Sequence, residues 1–210
     1  MKPQNTFYAK HGKRLIDLLL AFTGFLLASP LIGIIAILVR LQLGDPILFK
    51  QVRPGLHGNP FIIYKFRTMT DGKDKFDNFL PNNERLIPFG RMLRSTSMDE
   101  LPEIINVMNG EMSLVGPRPL RIEYLPLYSK EQFARHDVKP GITGWAQIKG
   151  RNSITWEEKF KLDVWYVQNR SFFLDLKILF LTIKKVFRRE GINQSKEQAM
   201  KPFKGVKLNG

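Results

Sequence analysis

Asp99 and Glu100 stand side by side, and Arg91, Arg94 and Arg118 flank them. Two adjacent carboxylates with guanidinium groups on both sides suit a negatively charged substrate, with a divalent metal bridging acid and substrate. A lone aspartate before a helix is usually only an N-cap, and that reading fits Asp99 as well. Capping requires neither the second carboxylate nor the arginines.

The element that must hold this pair is short. Leu101, Ile104, Ile105 and Met108 recur at helical spacing and make one apolar face. Gly110 stands where a left-handed C-terminal cap is expected. Pro102 can only occupy the first turn, since its missing N–H breaks a helix interior. This spacing predicts a helix with Asp99 at or near the N-cap, at the positive end of its dipole, where phosphates are favoured.

Composition narrows the classes of partner. The chain has 210 residues, with 33 Lys+Arg against 19 Asp+Glu, a formal charge of +14. Such a chain expects anionic partners: nucleic acid, phosphorylated metabolites or an acidic membrane face. No nucleic-acid-binding module is recognisable, and aromatic residues are not interleaved with the basic runs. A membrane-tethered nucleic-acid-binding protein is therefore only a remote alternative. Cysteine is absent, which excludes disulfides and thiolate metal sites, and only 3 histidines are present. Oxygen ligands for a hard cation such as Mg²⁺ remain available.

Residues 15–39 form an apolar run about long enough to span a bilayer. Ser29–Pro30 interrupts it, Asp17 lies near one end, and both flanks are basic, so the positive-inside rule orients no single crossing. These features predict a re-entrant helix–break–helix that enters and leaves on the cytoplasmic side. A kinked full span and a buried soluble hairpin are the alternatives. No small-residue cleavage site follows, so a removable signal peptide is not expected.

The remaining chain reads as α+β, mainly helical. Short β-like runs at 47–49 and 61–66 predict a hairpin around the Arg53-Pro54-Gly55 loop, with Lys65 and Arg67 at its exit. Residues 71–85 read as loop, 84–94 as a helix that delivers Arg94, and 123–134 as weakly helical. The glycines of 140–153, near Lys149 and Arg151, fit either backbone approach to a phosphate or an ordinary tight loop. Helices are expected at 156–167 and 172–189. The second carries Phe173, Leu176, Phe180, Ile183 and Phe187 on one face and lysines near its end, which suits a membrane surface or a core-facing helix. The expected organisation is a basic N-terminus with a membrane helix (1–43), a catalytic domain (44–190) and a polar, disordered basic tail (191–210).

Several long runs carry a resemblance. They are the Ser29–Pro30 break, the RPG loop from Arg53, YKFRTM from Tyr64, RSTSMDELPEIINV from Arg94, MSLVGPRPL from Met112 and RHDVKPGITGWAQIKGRN from Arg135. In these the chain resembles the small monotopic phosphoglycosyl transferases of the bacterial sugar transferase family, from about residue 8 to 190. The resemblance implies an inner-membrane enzyme with its active site on the cytoplasmic face. It would transfer sugar-1-phosphate from a UDP-sugar to undecaprenyl phosphate and release UMP. It implies Mg²⁺ held by Asp99 and Glu100, Asp99 as covalent nucleophile, and phosphate or nucleotide contacts from Lys65, Arg94, Arg118 and Arg151. Asp163 falls in a family-like run without an implied role. The nearest likeness is to members that take UDP-N,N′-diacetylbacillosamine for protein N-glycosylation. UDP-galactose, UDP-glucose or a UDP-N-acetylhexosamine, for capsule or exopolysaccharide, is the alternative. Inner-membrane lipids are implied as surroundings, and other enzymes of the same glycan pathway as partners.

Overall fold

The computed structural model describes residues 7–150, 154–188 and 202–205. A turn of π-helix (Tyr8–Gly12) leads into α1 (Lys13–Leu43), a single helix with Pro30 inside it. The break expected at Ser29–Pro30 is thus absent. Proline cannot supply the N–H that would bond the carbonyl four residues back, and that carbonyl belongs to Leu26. Ser29 Oγ donates to Leu26 O at 2.8 Å instead, so the helix continues without an orphaned acceptor. The helix is long and apolar enough to cross a membrane, with only 11% of its most apolar window buried. Leu19, Leu27, Ile34, Ile37 and Leu41 stand exposed, which sets aside the buried soluble hairpin.

The start of α1 is fastened to the rest of the molecule by its charges. Arg14 donates to Val107 O (2.6 Å) and Met108 O (2.9 Å), carbonyls of the last turn of another helix, where a cation is favoured. Asp17 is buried and accepts from Ser113 Oγ (2.7 Å) and Leu114 N (3.3 Å), while Lys13 bridges Asp17 and Asp175. The charge that argued against a plain membrane span is a structural joint.

The expected hairpin is present and longer than expected. Strand β1 (Leu48–Pro54) pairs antiparallel with β2 (Pro60–Phe66), with Leu48 opposite Phe66 and Pro54 opposite Pro60. A loop follows, containing the short α2 (Asn82–Arg85), then α3 (Pro88–Ser95). The helix expected over 84–94 is therefore two pieces, divided before Pro88, as a proline's preference for an extended predecessor demands. Ser97 takes a left-handed conformation (φ 57°) and turns the chain into a 3₁₀ turn, Met98–Glu100. Then comes α4 (Glu103–Asn109), closed by Gly110 at φ 84°, the left-handed cap predicted from sequence.

The second half winds back over this unit. Strand β3 (Ser113–Val115) is followed by a 3₁₀ segment (Ile122–Leu127), α5 (Lys130–Phe133), β4 (Gly141–Thr143) and α6 (Trp145–Lys149). Helices α7 (Trp156–Asn169) and α8 (Phe172–Arg188) complete the order. β3 and β4 are parallel, with Ser113 opposite Gly141 and Val115 opposite Thr143. Their glycines serve backbone contact: a Cβ on Gly141 would lie 2.0 Å from Gly116 N, and one on Gly144 2.2 Å from Gly116 O. Gly141 N–H is bonded to Pro117 O at 3.0 Å. The glycine-rich stretch is thus the seat for the Gly-Pro-Arg-Pro segment rather than an open phosphate loop.

The core gathers Val115, Val138, Ile148, Tyr166, Val167 and Ile178. A second, aromatic cluster holds Tyr124, Phe160 and Phe203. Phe203 belongs to the tail expected to be disordered, yet it is buried against Tyr124, Trp156 and Phe160. One apolar residue among the tail's lysines is enough to anchor that stretch. Residues 191–201 and 206–210 lie outside the described residues.

Candidate active site

The sequence-adjacent pair Asp99–Glu100 lies in the 3₁₀ turn, not at the N-cap of α4. Pro102 holds the N-cap position and α4 begins at Glu103. The pair precedes the helix because residues 98–101 already turn in the right-handed sense, while Pro102 offers no N–H to extend the ladder backwards.

The two acids have opposite surroundings. Glu100 accepts from Lys65 Nζ at 2.6 Å, from Arg118 Nη1 at 3.2 Å and from Arg118 Nη2 through its other oxygen. Burial alone would raise its pKa, but Arg118 and Lys65 outweigh burial and hold it well below the usual carboxylate range. Arg118 is correspondingly held above its ordinary value by Glu100. Asp99 has no hydrogen bond or ion pair among the described residues. Burial first, and then the charge of Glu100, push its pKa up to about 6 against the pull of Lys65, Arg94 and Arg118. One acid is locked and ionised, while the other is left free.

Three of the expected cations therefore meet here, and each is placed by a specific feature. Lys65 leaves β2 towards the turn, and it also reaches Glu103 at 2.9 Å, a buried acid that sequence reading missed. Asn106 sets the register between α4 and β2. Its Oδ1 accepts from Tyr64 N at 3.1 Å, and its Nδ2 donates to Ile62 O and Glu111 Oε2, both at 2.7 Å. Asn106 thus acts as an extra strand residue presented by a helix, and it brings Lys65 level with Glu100. Arg94 donates to Thr68 Oγ1 at 3.0 Å. Its helix can lie that close only because position 90 is glycine, where a Cβ would fall 1.9 Å from Thr68 O. Arg67, beside Lys65 at the hairpin exit, bonds Asp45 O, Met69 O and Asp71 and is structural.

Arg118 is held from behind. Arg135 donates through Nη2 to Arg118 O at 2.7 Å, and through Nε and Nη2 to Asp163 Oδ2 at 3.1 and 2.8 Å. Asp163 consequently lies away from the dyad, in a fully buried pair whose role is to fix the Gly-Pro-Arg-Pro backbone. Arg91 is exposed, and Arg151 lies outside the described residues. Glu103, Asn106 and Arg135 carried no local signal, since each meets its partner only through the fold.

Beside Glu100 and Arg118 lies a cavity of about 210 Å³ with largely aliphatic walls. Such an arrangement has the parts for phosphoryl chemistry: a carboxylate without a hydrogen bond among the described residues, a rigid acid–base lattice, and Lys65, Arg94 and Arg118 near enough to lower that carboxylate's pKa.

The description bacterial sugar transferase matches residues 8–189 of this chain. Over 193 residues the chain is 58% identical to an uncharacterised sugar transferase of Bacillus subtilis, EpsL, covering 92% of this chain and 96% of that protein. It is 41% identical to a UDP-glucose:undecaprenyl-phosphate glucose-1-phosphate transferase of Klebsiella pneumoniae, covering 83% of this chain and 40% of the relative. It is 36% identical to an undecaprenyl-phosphate galactose phosphotransferase of Salmonella typhimurium, covering 85% and 41%. The chain spans about two fifths of the length of these last two relatives.

Proposed function

Because this chain belongs to the bacterial sugar transferase family, we propose that it transfers a sugar-1-phosphate from a UDP-sugar to undecaprenyl phosphate and releases UMP. The observation that carries this reading is the unequal pair: Asp99, half-buried and without a hydrogen bond or ion pair among the described residues, beside a Glu100 clamped by Lys65 and Arg118. Asp99 is the nucleophile in this scheme. A carboxylate oxygen attacks the sugar-bearing phosphorus, the bond from that phosphorus to the oxygen of UMP breaks, and an acyl phosphodiester to the sugar forms. An oxygen of undecaprenyl phosphate then attacks the same phosphorus and returns the carboxylate. A general-base role for Asp99 is weaker, since a lipid phosphate is already anionic near neutral pH.

Arg118, Lys65 and Arg94 would take the phosphate oxygens, with Arg118 fixed in direction by its two-pronged bond to Glu100. Asp99 and Glu100 also suit a hard cation, because among the described residues the Asp99 oxygens have no hydrogen-bond donor. Among the described residues no three acids or histidines come together as a metal cage. Mg²⁺ typically takes one or two carboxylates and completes its shell with substrate phosphates and water. When bound there, it would supply neutralisation of the diphosphate charge.

The sugar has two readings. Resemblance to the smallest members favours N,N′-diacetylbacillosamine and a place in protein glycosylation, while relatives named for UDP-glucose and galactose favour a hexose for an exported polysaccharide. The membrane reading is that α1 enters the inner membrane without crossing it, since its start is tied to α4 and β3 while Ile35 and Val39 near its end pack against Phe66 and Leu93 of the same domain, and that the site stays on the cytoplasmic face. Cysteines at positions 10 and 51 would then be labelled from the same side of the membrane. The deciding assay is UMP release over a panel of UDP-sugars, with and without undecaprenyl phosphate and Mg²⁺. Enzyme with UDP-sugar alone should gain a phospho-sugar mass on the Asp99 peptide, and Asp99→Asn should gain none. No UMP from any UDP-sugar would refute the transferase reading. UMP release without an adduct under quenched conditions would refute the covalent step.

A further inference from the structure

The cavity beside the dyad extends away from it to α8. Glu100 and Arg118 line one end, while Thr182, Lys185 and Val186 line the other. Between them the walls include Ile104, Ile142 and Ile148. Two features show where this space leads. Ile104 lies against α1, with its Cδ1 3.5 Å from where a Cβ on Gly24 would stand. Val186 is 47% exposed, and it sits one turn beyond Ile183 (57%) and near Phe180 (68%), the bare apolar strip of α8. The cavity therefore joins the charged dyad to two exposed apolar helices.

Its polar content is specific. Lys185 makes no ion pair or hydrogen bond among the described residues, and it shares the space with aliphatic side chains and with the hydroxyl-bearing Ser95, Thr96, Ser97, Thr143 and Thr182. Gln147, on the same wall, keeps both its amide Nε2 and its Oε1 shut from solvent without a hydrogen-bond partner among the described residues. A ligand with one anionic end and a long apolar remainder satisfies both halves. At about 210 Å³ the cavity is smaller than the roughly 300–1,000 Å³ that holds a whole drug-sized ligand, so it admits a head and the start of a tail. The opening onto the bare apolar strip of α8 favours a ligand with a long apolar tail over a nucleotide sugar, which has none to place there.

We propose that this cavity is the entry for the acceptor lipid: Lys185 meets the phosphate of the polyprenyl phosphate at the mouth, the phosphate passes inward towards Arg118, and the first isoprene units follow along the aliphatic side chains. The tail leaves past Val186 onto the apolar faces of α8 and α1. This assignment rests on the transferase reading above and adds to it the route by which the second substrate reaches the dyad.

The test is steady-state kinetics on the full chain in detergent, varying undecaprenyl phosphate at saturating UDP-sugar and then the reverse. Lys185→Gln should raise the KM for the lipid roughly 10- to 100-fold, the worth of a hydrogen-bonded charge, while the KM for UDP-sugar moves by less than about twofold. Lys185→Arg should recover most of the loss. Val186→Trp, at an exposed position that does not threaten folding, should obstruct the mouth and raise the lipid KM as well. A rise confined to the UDP-sugar KM would make the cavity a nucleotide site and overturn the proposal. So would unchanged kinetics in both Lys185→Gln and Val186→Trp. Wild-type enzyme that releases no UMP from any UDP-sugar would refute the transferase reading itself, before any variant is made.

Discussion

Asp163→Asn should unfold the protein early rather than disable a catalytic group. Asp163 and Arg135 side chains are 2% and 1% exposed, and one carboxylate oxygen takes two of the guanidinium's bonds. Burial raises the Asp163 pKa even though Arg135 lowers it, so desolvation dominates and the pair is expensive to hold. Asparagine keeps the size but removes the charge, leaving a guanidinium buried between the Tyr128 and Phe160 rings without its counter-ion. Breaking a buried pair in this way costs about 3–5 kcal/mol, which for a chain of this length lowers the apparent Tm by about 6–20 °C. The assay is thermal unfolding by circular dichroism at a fixed scan rate, with UMP release measured well below the transition. Asp163→Leu combined with Arg135→Met should recover much of the stability, because an apolar pair carries no desolvation penalty. Activity should stay low in that double variant, since Arg118 O loses the Arg135 donor. An Asp163→Asn protein with wild-type Tm and abolished turnover would refute this reasoning and give Asp163 a direct part in the chemistry.

Asn106→Leu should cost about 2–4 kcal/mol, because Tyr64 N–H and Ile62 C=O lose their buried partner, and denaturant titration should show it. Retained stability would mean that the strand closes on itself without the helix. Arg118→Lys keeps the charge but loses the fork on Glu100, so kcat/KM should fall on the order of tenfold or more in a protein of unchanged Tm. An unchanged rate would assign Arg118 a merely structural role. Burial, then the Arg135 charge, pull the His136 pKa down to about 4 despite its bond to Gly55 O. The folded state thus binds its proton later than the unfolded chain. Stability is full above about pH 6.5 and is lost as pH falls towards 4, by up to about 3 kcal/mol. His136→Phe should flatten stability over that window, and an unaltered pH profile would show that His136 is not the group responsible.

The proximity of Asp99 and Glu100 was legible because they are neighbours, and Arg118 stood out because two prolines and a glycine mark its run. Legibility ended where partners are distant. Lys65 meets Glu100 across 35 residues, and Arg135 meets Asp163 across 28. Local rules also failed in an informative way at two prolines. The rule that proline ends a helix misplaced the start of α4 at Asp99, since a 3₁₀ turn could precede Pro102. The same rule predicted a break at Pro30, where a serine hydroxyl satisfies the carbonyl that proline leaves open. The glycines of 141–144 fitted a phosphate approach as well as an ordinary tight loop, because close approach to a backbone and close approach to a ligand demand the same residue. Their partner turned out to be Gly116.

The dyad works as two unlike groups because of what lies behind only one of them. Arg118 reaches Glu100 with its fork while Arg135 holds its carbonyl, and Asp163 in turn holds Arg135. Lys65 comes to the same carboxylate from a strand whose register Asn106 fixes. Glu100 is therefore held in place and ionised, and burial together with its charge raises the pKa of Asp99 against the pull of Lys65, Arg94 and Arg118. Environments that push two adjacent carboxylates apart in pKa commonly assign them separate roles. In the proposed reaction the clamped acid would align the cations that a phosphate needs. The unclamped one would keep its oxygens for a cation or an electrophilic phosphorus, and a bound cation would draw its raised pKa back down and keep it ionised.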